Sequence, residues 1–295
     1  MNEERLEGRW PEGVDPRPVI ELDTFRAMIR EKGRGLYRDL PWRRTRDPYE
    51  IWVSEVMLQQ TQVSRVDGRW QRWLERFPTV VDLALAQQAD VLAEWQGMGY
   101  NRRALSLLRC ARIISEAGAF PTSQRDLVAL PGIGPATAAG IRAFAFDEPG
   151  IYLETNVRTV FLHELFPQED AVSDRFLAPL VEAACPAHDV RSWYYALLDY
   201  GAWLKRIVPN PSRRSREHVR QTSFEGSHRQ KRAMALRLVL DARMQGIDTS
   251  LVAEALSREE EQSGRPRVTT DVAHDLLCEL AREGFCQERS GRWYA

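Results

Sequence analysis

Hydrophobic residues recur at three- and four-residue spacing through most of this 295-residue chain, with almost no two-residue alternation before the C-terminus. That period predicts a succession of short helices joined by brief loops, an all-α protein. Helical patterns cover 25–33, 69–77, 79–86, 89–95, 101–117, 136–144 and 193–204, with Pro78 and Pro121 as breaks. Another opens at Asp47-Pro48-Tyr49-Glu50, where Asp47 reads as the N-cap, Pro48 as the first helical residue and Glu50 as the residue closing a capping box. Patterns at 232–243, 249–258 and 270–283 are followed by two short runs, 285–289 and 292–294, joined by Ser290-Gly291. The runs predict a β-hairpin, and with three helices they describe a winged-helix-like unit. The chain thus divides into an N-terminal extension (1–23), a helical domain (24–210), a basic linker (211–231) and a small C-terminal domain (232–295).

Composition narrows the setting. At 43% hydrophobic and 28% charged the chain is ordinary for a globular protein, and no apolar run approaches the roughly 18 residues of a membrane span. Residues 1–23 are acidic and proline-bearing, unlike a signal peptide. The four cysteines lie far apart without a C-x-x-C pair, and the five histidines form no ligand-spaced cluster. We therefore expect reduced thiols in a cytoplasmic, nucleoid-associated monomer with no membrane partner, no metal site and no other cofactor. The net charge of −1 is uninformative, but 205–232 holds nine Lys or Arg against two Glu. Arg213, Arg214 and Arg216 in that stretch suit phosphate neutralisation, or a solvated basic linker.

The stretch S-E-V-M-L-Q-Q-T-Q-V at 54–63 carries the sharpest chemistry. Glu55 shares a helix face with Ile51, Trp52 and Leu58, and a carboxylate on an apolar stripe is expensive unless paired, hydrogen-bonded or protonated. Gln59, Gln60, Thr61 and Gln62 follow with groups able to bond base edges. Read alone, the stretch also fits a half-exposed helix face. At 130–134, L-P-G-I-G precedes an Ala/Thr-rich helix. Gly132 and Gly134 would let the backbone pass close to another body, and the opening N–H groups of the helix would face an anion, as in a helix-hairpin-helix grip on a DNA phosphate. The extended run Ile151-Tyr152-Leu153 delivers a second carboxylate, Glu154, to a helix start, where the macrodipole favours its charged form.

In this order the pieces resemble the helix-hairpin-helix DNA glycosylases, and most of all the MutY-type adenine glycosylases. The resemblance runs from about residue 40 to 201. It rests on Pro41-Trp42-Arg43, Asp47-Pro48-Tyr49, 54–63, Phe77-Pro78-Thr79, Gly97-Met98-Gly99-Tyr100, 130–134, Asn156-Val157 and Asp199-Tyr200-Gly201-Ala202. It implies two helical subdomains flanking a cleft and a double-stranded DNA substrate with a mispaired or damaged base. Glu55 matches the acid that protonates the adenine ring. Gln60 and Tyr100 match residues that wedge into the base stack, and Asn156 one beside the second catalytic carboxylate. That carboxylate is an Asp in the family and Glu154 here. The family's four cluster cysteines are missing from 205–215, so its iron–sulfur cluster is expected to be absent. The tail is shorter than the family's domain for reading 8-oxoguanine. Ala136 stands where bifunctional relatives carry a catalytic lysine, which implies a monofunctional enzyme. The resemblance implies removal of adenine opposite guanine or 8-oxoguanine. Glu154 and the shorter tail keep open a glycosylase for uracil, thymine or hypoxanthine, and the hairpin, basic stretch and winged-helix-like unit keep open a non-catalytic DNA-binding protein.

Overall fold

The computed structural model describes residues 9–216 and 224–295; residues 217–223 of the basic linker and the first eight residues of the N-terminal extension lie outside the described residues. In chain order the helices are α1 (Leu22–Leu36), α2 (Pro48–Leu58), α3 (Val63–Val66), α4 (Arg69–Arg76), α5 (Val80–Leu85), α6 (Gln88–Glu94), α7 (Arg102–Ala117) and α8 (Gln124–Val128). They continue as α9 (Pro135–Phe146), α10 (Thr155–Leu165), α11 (Asp174–Ala184), α12 (Val190–Ile207), α13 (His228–Ala242), α14 (Thr249–Gln262) and α15 (Thr270–Arg282). Strands β1 (Ile247–Asp248), β2 (Gln287–Arg289) and β3 (Arg292–Tyr294) form one small antiparallel sheet in the order β1-β3-β2. The helical fold and terminal hairpin agree with the hydrophobic pattern; α11 and β1 were not anticipated.

The chain forms two compact units, Met1–Leu74 with Ala117–Val219, and Glu75–Glu116 with Arg220–Ala295. This partition differs from the sequence-based segments, because 75–116 groups with the tail. The reason lies in packing across a long sequence separation. Helix α13 rests on α6, Gln88 Nε2 donates to the Gly284 carbonyl at 2.7 Å, and Glu283 accepts from Arg102 (3.0 Å) and Arg232 (2.7 Å). Leu236, Val239, Val252, Leu256, Leu276, Leu280, Phe285 and Trp293 fill the core of α13–α15 and the sheet. The hairpin turns on Ser290 and Gly291, both at positive φ, as a two-residue turn of this kind requires.

In the first unit α1 and α10 both pack on α12, and α2 packs on α9. Phe25, Ile29, Phe144, Val160, Phe161, Leu180, Tyr194 and Leu197 belong to its core. A charged knot joins two of the sequence motifs. Buried Asp199 accepts from both terminal nitrogens of Arg43 at 2.7 and 2.8 Å, and from Arg38 Nε at 2.5 Å. Bidentate pairing of this kind offsets the desolvation of both ions and fixes where 38–43 lies on α12.

Candidate active site

Helix α2 starts as its sequence dictates, with one correction. Asp47 accepts from the Tyr49 and Glu50 backbone N–H groups, but its own N–H goes to Thr45 Oγ1, not to Glu50, so there is no capping box. The helix is buried nearly all round, with Tyr49, Ile51, Trp52, Val53, Ser54, Val56 and Met57 enclosed. Glu55 is half-buried. The Tyr152 hydroxyl donates to its Oε2 at 2.9 Å. Burial raises the Glu55 pKa to about 8; the Tyr152 hydrogen bond works against the rise and the charge of Glu154 adds to it. That rise favours the protonated, neutral form of Glu55 at pH 7.

A missing side chain makes room for this acid. A Cβ on Gly140, in the middle of α9, would stand 2.4 Å from Glu55 Oε2 and 2.7 Å from Tyr152 Cε2. An isolated glycine inside a helical pattern was the available sequence signal for that contact. Tyr152 also left one, since it lies two residues before Glu154 in an extended run and so shares its face.

Glu154 is the N-cap of α10, and its Oε2 accepts from the Thr155 N–H at 2.6 Å. Asn156 Nδ2 lies 3.5 Å from Glu154 Oε1. Glu55, Gln59, Gln60, Thr137, Tyr152, Glu154, Asn156 and Tyr195 line one cavity of about 410 Å³. Gln59 Nε2 donates to Thr137 Oγ1 at 3.0 Å, and Gln60 stands exposed at φ 52°, a conformation that turns the chain out of α2. Tyr195 stacks on Phe144 (ring centroids 4.5 Å apart) and under the Arg43 guanidinium (4.2 Å), so one wall is flat and aromatic.

The remaining sequence candidates are not among the residues that line this cavity. Gly132 has φ 79° and is exposed, and Gly134 caps α9 with open space beside it, as a backbone approach would need. Tyr100 belongs to the other unit. It sits half-exposed or more at φ 50° after Gly97 and Gly99, on a turn tied by Trp95 Nε1 to the Gly99 carbonyl (3.0 Å), with Arg103 over its ring at 5.4 Å. Arg213 and Arg216 are exposed. Arg214 is turned inward, donating to the carbonyls of Leu162 (2.8 Å), Phe166 (2.5 Å) and Glu169 (2.9 Å), where it closes the C-terminal end of α10. The residues 205–215 do not fit an iron–sulfur cluster, having no thiolate, and the chain's cysteines Cys110, Cys185, Cys278 and Cys286 lie elsewhere and are not joined in disulfides. Among the described residues no helix is long and apolar enough to cross a membrane.

Known proteins share parts of this chain. The chain is 40% identical over 169 residues to the adenine DNA glycosylase of Mycolicibacterium smegmatis, covering 56% of this chain and 58% of that protein. It is 38% identical over 155 residues to human adenine DNA glycosylase, covering 49% of this chain and 28% of the human one. The chain thus spans about half the length, or less, of these curated relatives. Among solved structures, a thermostable thymine-DNA glycosylase superposes with a TM-score of 0.55 at 24% identity over 61% of this chain and 86% of its own. A trapped endonuclease III–DNA covalent intermediate gives 0.52 at 19% identity over 63% and 88%. These two likenesses concern the fold. Residues 53–175 match the model of the HhH-GPD superfamily base excision DNA repair proteins.

Proposed function

We propose that the protein is a monofunctional DNA glycosylase of base excision repair, which hydrolyses the N-glycosidic bond of a flipped-out adenine mispaired with guanine or 8-oxoguanine. The observation that carries this reading is that Glu55, held by the Tyr152 hydroxyl, and the helix-capping Glu154 line one cavity. A base inside a duplex must leave the stack to reach such a pocket, and about 410 Å³ is at the small end of the range of roughly 300–1,000 Å³ for ligand sites. Glu55 gives its proton to a ring nitrogen, the C1′–N9 bond breaks, and its electron pair leaves with adenine. The Glu154 carboxylate stabilises the positive sugar that remains. Water adds at C1′, and its proton restores Glu55. Ala136 supplies no amine for a Schiff base, so the abasic strand is left intact. The partner is double-stranded DNA in the nucleoid, gripped through Gly132 and Gly134, with Gln60 and Tyr100 filling the stack. The chain acts as a monomer and needs no cofactor.

The test is a panel of duplexes, each with a single mispair or damaged base, scored for alkali-labile abasic sites. Strand scission only after alkali, greatest for adenine opposite guanine or 8-oxoguanine, is expected. A second reading, excision of uracil, thymine or hypoxanthine, is favoured by the longer acid Glu154, and the same panel separates it. Tight binding with no abasic product on any duplex would leave a non-catalytic DNA-binding protein.

Gly140→Ala probes the acid's seat. Its Cβ would come within 2.4 Å of Glu55 Oε2, so the carboxyl group must move. A misplacement of about 1 Å lowers a rate about a hundredfold, and a single-turnover excision assay should show a loss of that order with the helix intact.

A further inference from the structure

One cation beside the site has no part in the chemistry above. Helix α12 passes so close to the start of α10 that a Cβ on Gly201 would lie 2.2 Å from the Asn156 carbonyl oxygen. One turn further along the same face of α12 stands Lys205. Its Nζ donates to Asn156 Oδ1 at 2.7 Å. Lys205 does not line the cavity, and its hydrogen bond to the site is the one to Asn156.

A carboxamide can present either its oxygen or its NH₂ to a neighbour, and the two differ in charge. An ammonium group has donors only, so it takes the oxygen and leaves the NH₂ for Glu154. With the amide reversed, its oxygen would face the Glu154 carboxylate and repel it. The other charged and titratable groups around this corner are already engaged. Arg158 of α10 is held by both oxygens of Asp174 of α11, at 2.6 Å each, and Tyr152 donates to Glu55 of α2. Lys205 feels the attraction of Glu154 and the repulsion of Arg158, while burial opposes its charge. Among the described residues it makes no ion pair within 4 Å of its own.

We propose that Lys205 is a positioning residue for bond cleavage: it holds the Asn156 carboxamide with its NH₂ toward Glu154, and so holds Glu154 where the positive sugar forms. This rests on the glycosylase reading above.

The test uses the full chain and the duplex most rapidly processed in the panel, with single-turnover rates at saturating enzyme, duplex Kd and Tm measured together. Lys205→Met should lower the rate at least tenfold, the scale of one hydrogen bond to a charged group, with Kd and Tm little changed. Lys205→Arg, which keeps a cationic donor, should restore most of the rate. Asn156→Ala with Lys205→Met should be no slower than Asn156→Ala alone, since the lysine acts through the asparagine. Should the methionine variant not fold, Lys205→Gln carries the same comparison. A wild-type rate in the folded Met or Gln variant, or multiplying losses in the double variant, would overturn the proposal. So would a borohydride-trapped adduct made by the wild type and lost in Lys205→Arg, because an amine that attacks the sugar is not one held on Asn156. If the wild type itself releases no base from any duplex, the glycosylase reading falls and this proposal with it; an active wild type with indifferent lysine variants removes the lysine alone.

Discussion

Glu55→Gln is expected to lower base release by about 10²–10⁴-fold, the usual contribution of a positioned general acid. The glutamine is close in shape and can still accept from the Tyr152 hydroxyl, so the pocket stays intact while the transferable proton is gone. In the wild type the acid is loaded below its pKa of about 8, so the excision rate should fall tenfold per pH unit above that value. The variant should have no such limb. Stability moves the other way. Between the ordinary carboxyl value of 4.5 and about 8, the folded protein holds a proton that the unfolded chain has released, so stability falls as pH rises through that window. Glu55→Gln removes this loss, and above pH 8 its Tm should exceed that of the wild type, by an amount reflecting up to a few kcal/mol. A variant that keeps the wild-type rate would end the general-acid role.

Much of this site could be read one residue at a time. The helix start at Asp47-Pro48, the acid on an apolar stripe, the glycines of 130–134 and the carboxylate at a helix entrance are local features, and local patterns carry them. Contacts between distant residues were not legible. Tyr152 meets Glu55 across 97 positions, and Lys205 meets Asn156 across 49. Nothing in either segment alone names its partner. The grouping of 75–116 with the tail was hidden for the same reason: α6 and α13 are each unremarkable amphipathic helices until they touch. The basic stretch shows another limit. Counting charges treats Arg213, Arg214 and Arg216 alike, whereas the backbone carbonyls of Leu162, Phe166 and Glu169, in the last turn of α10 and the loop after it, claim Arg214 alone.

Glu154→Gln is expected to lower the excision rate by about 10²–10³-fold, the scale of removing one preorganised electrostatic contact to a charge that develops in the transition state. The amide oxygen can still accept from the Thr155 N–H, so α10 keeps its cap and Tm should change little. Glu154→Asp separates charge from reach. It keeps the anion but withdraws it by about one C–C bond, roughly 1.5 Å, so a rate between wild type and Glu154→Gln is expected if the pocket is built for the longer acid. The two carboxyl groups can also be tested against each other. The negative charge of Glu154 is one of the causes that raise the Glu55 pKa. Neutralising it removes that push, so Glu55 should ionise at lower pH and the alkaline limb of the Glu154→Gln profile should begin below about 8. Glu154→Asp retains the charge and should leave the limb near its wild-type position. An alkaline limb that stays fixed while Glu154 loses its charge would mean that the two side chains do not act on one another across the cavity, and that the base and the sugar are not handled at a single site.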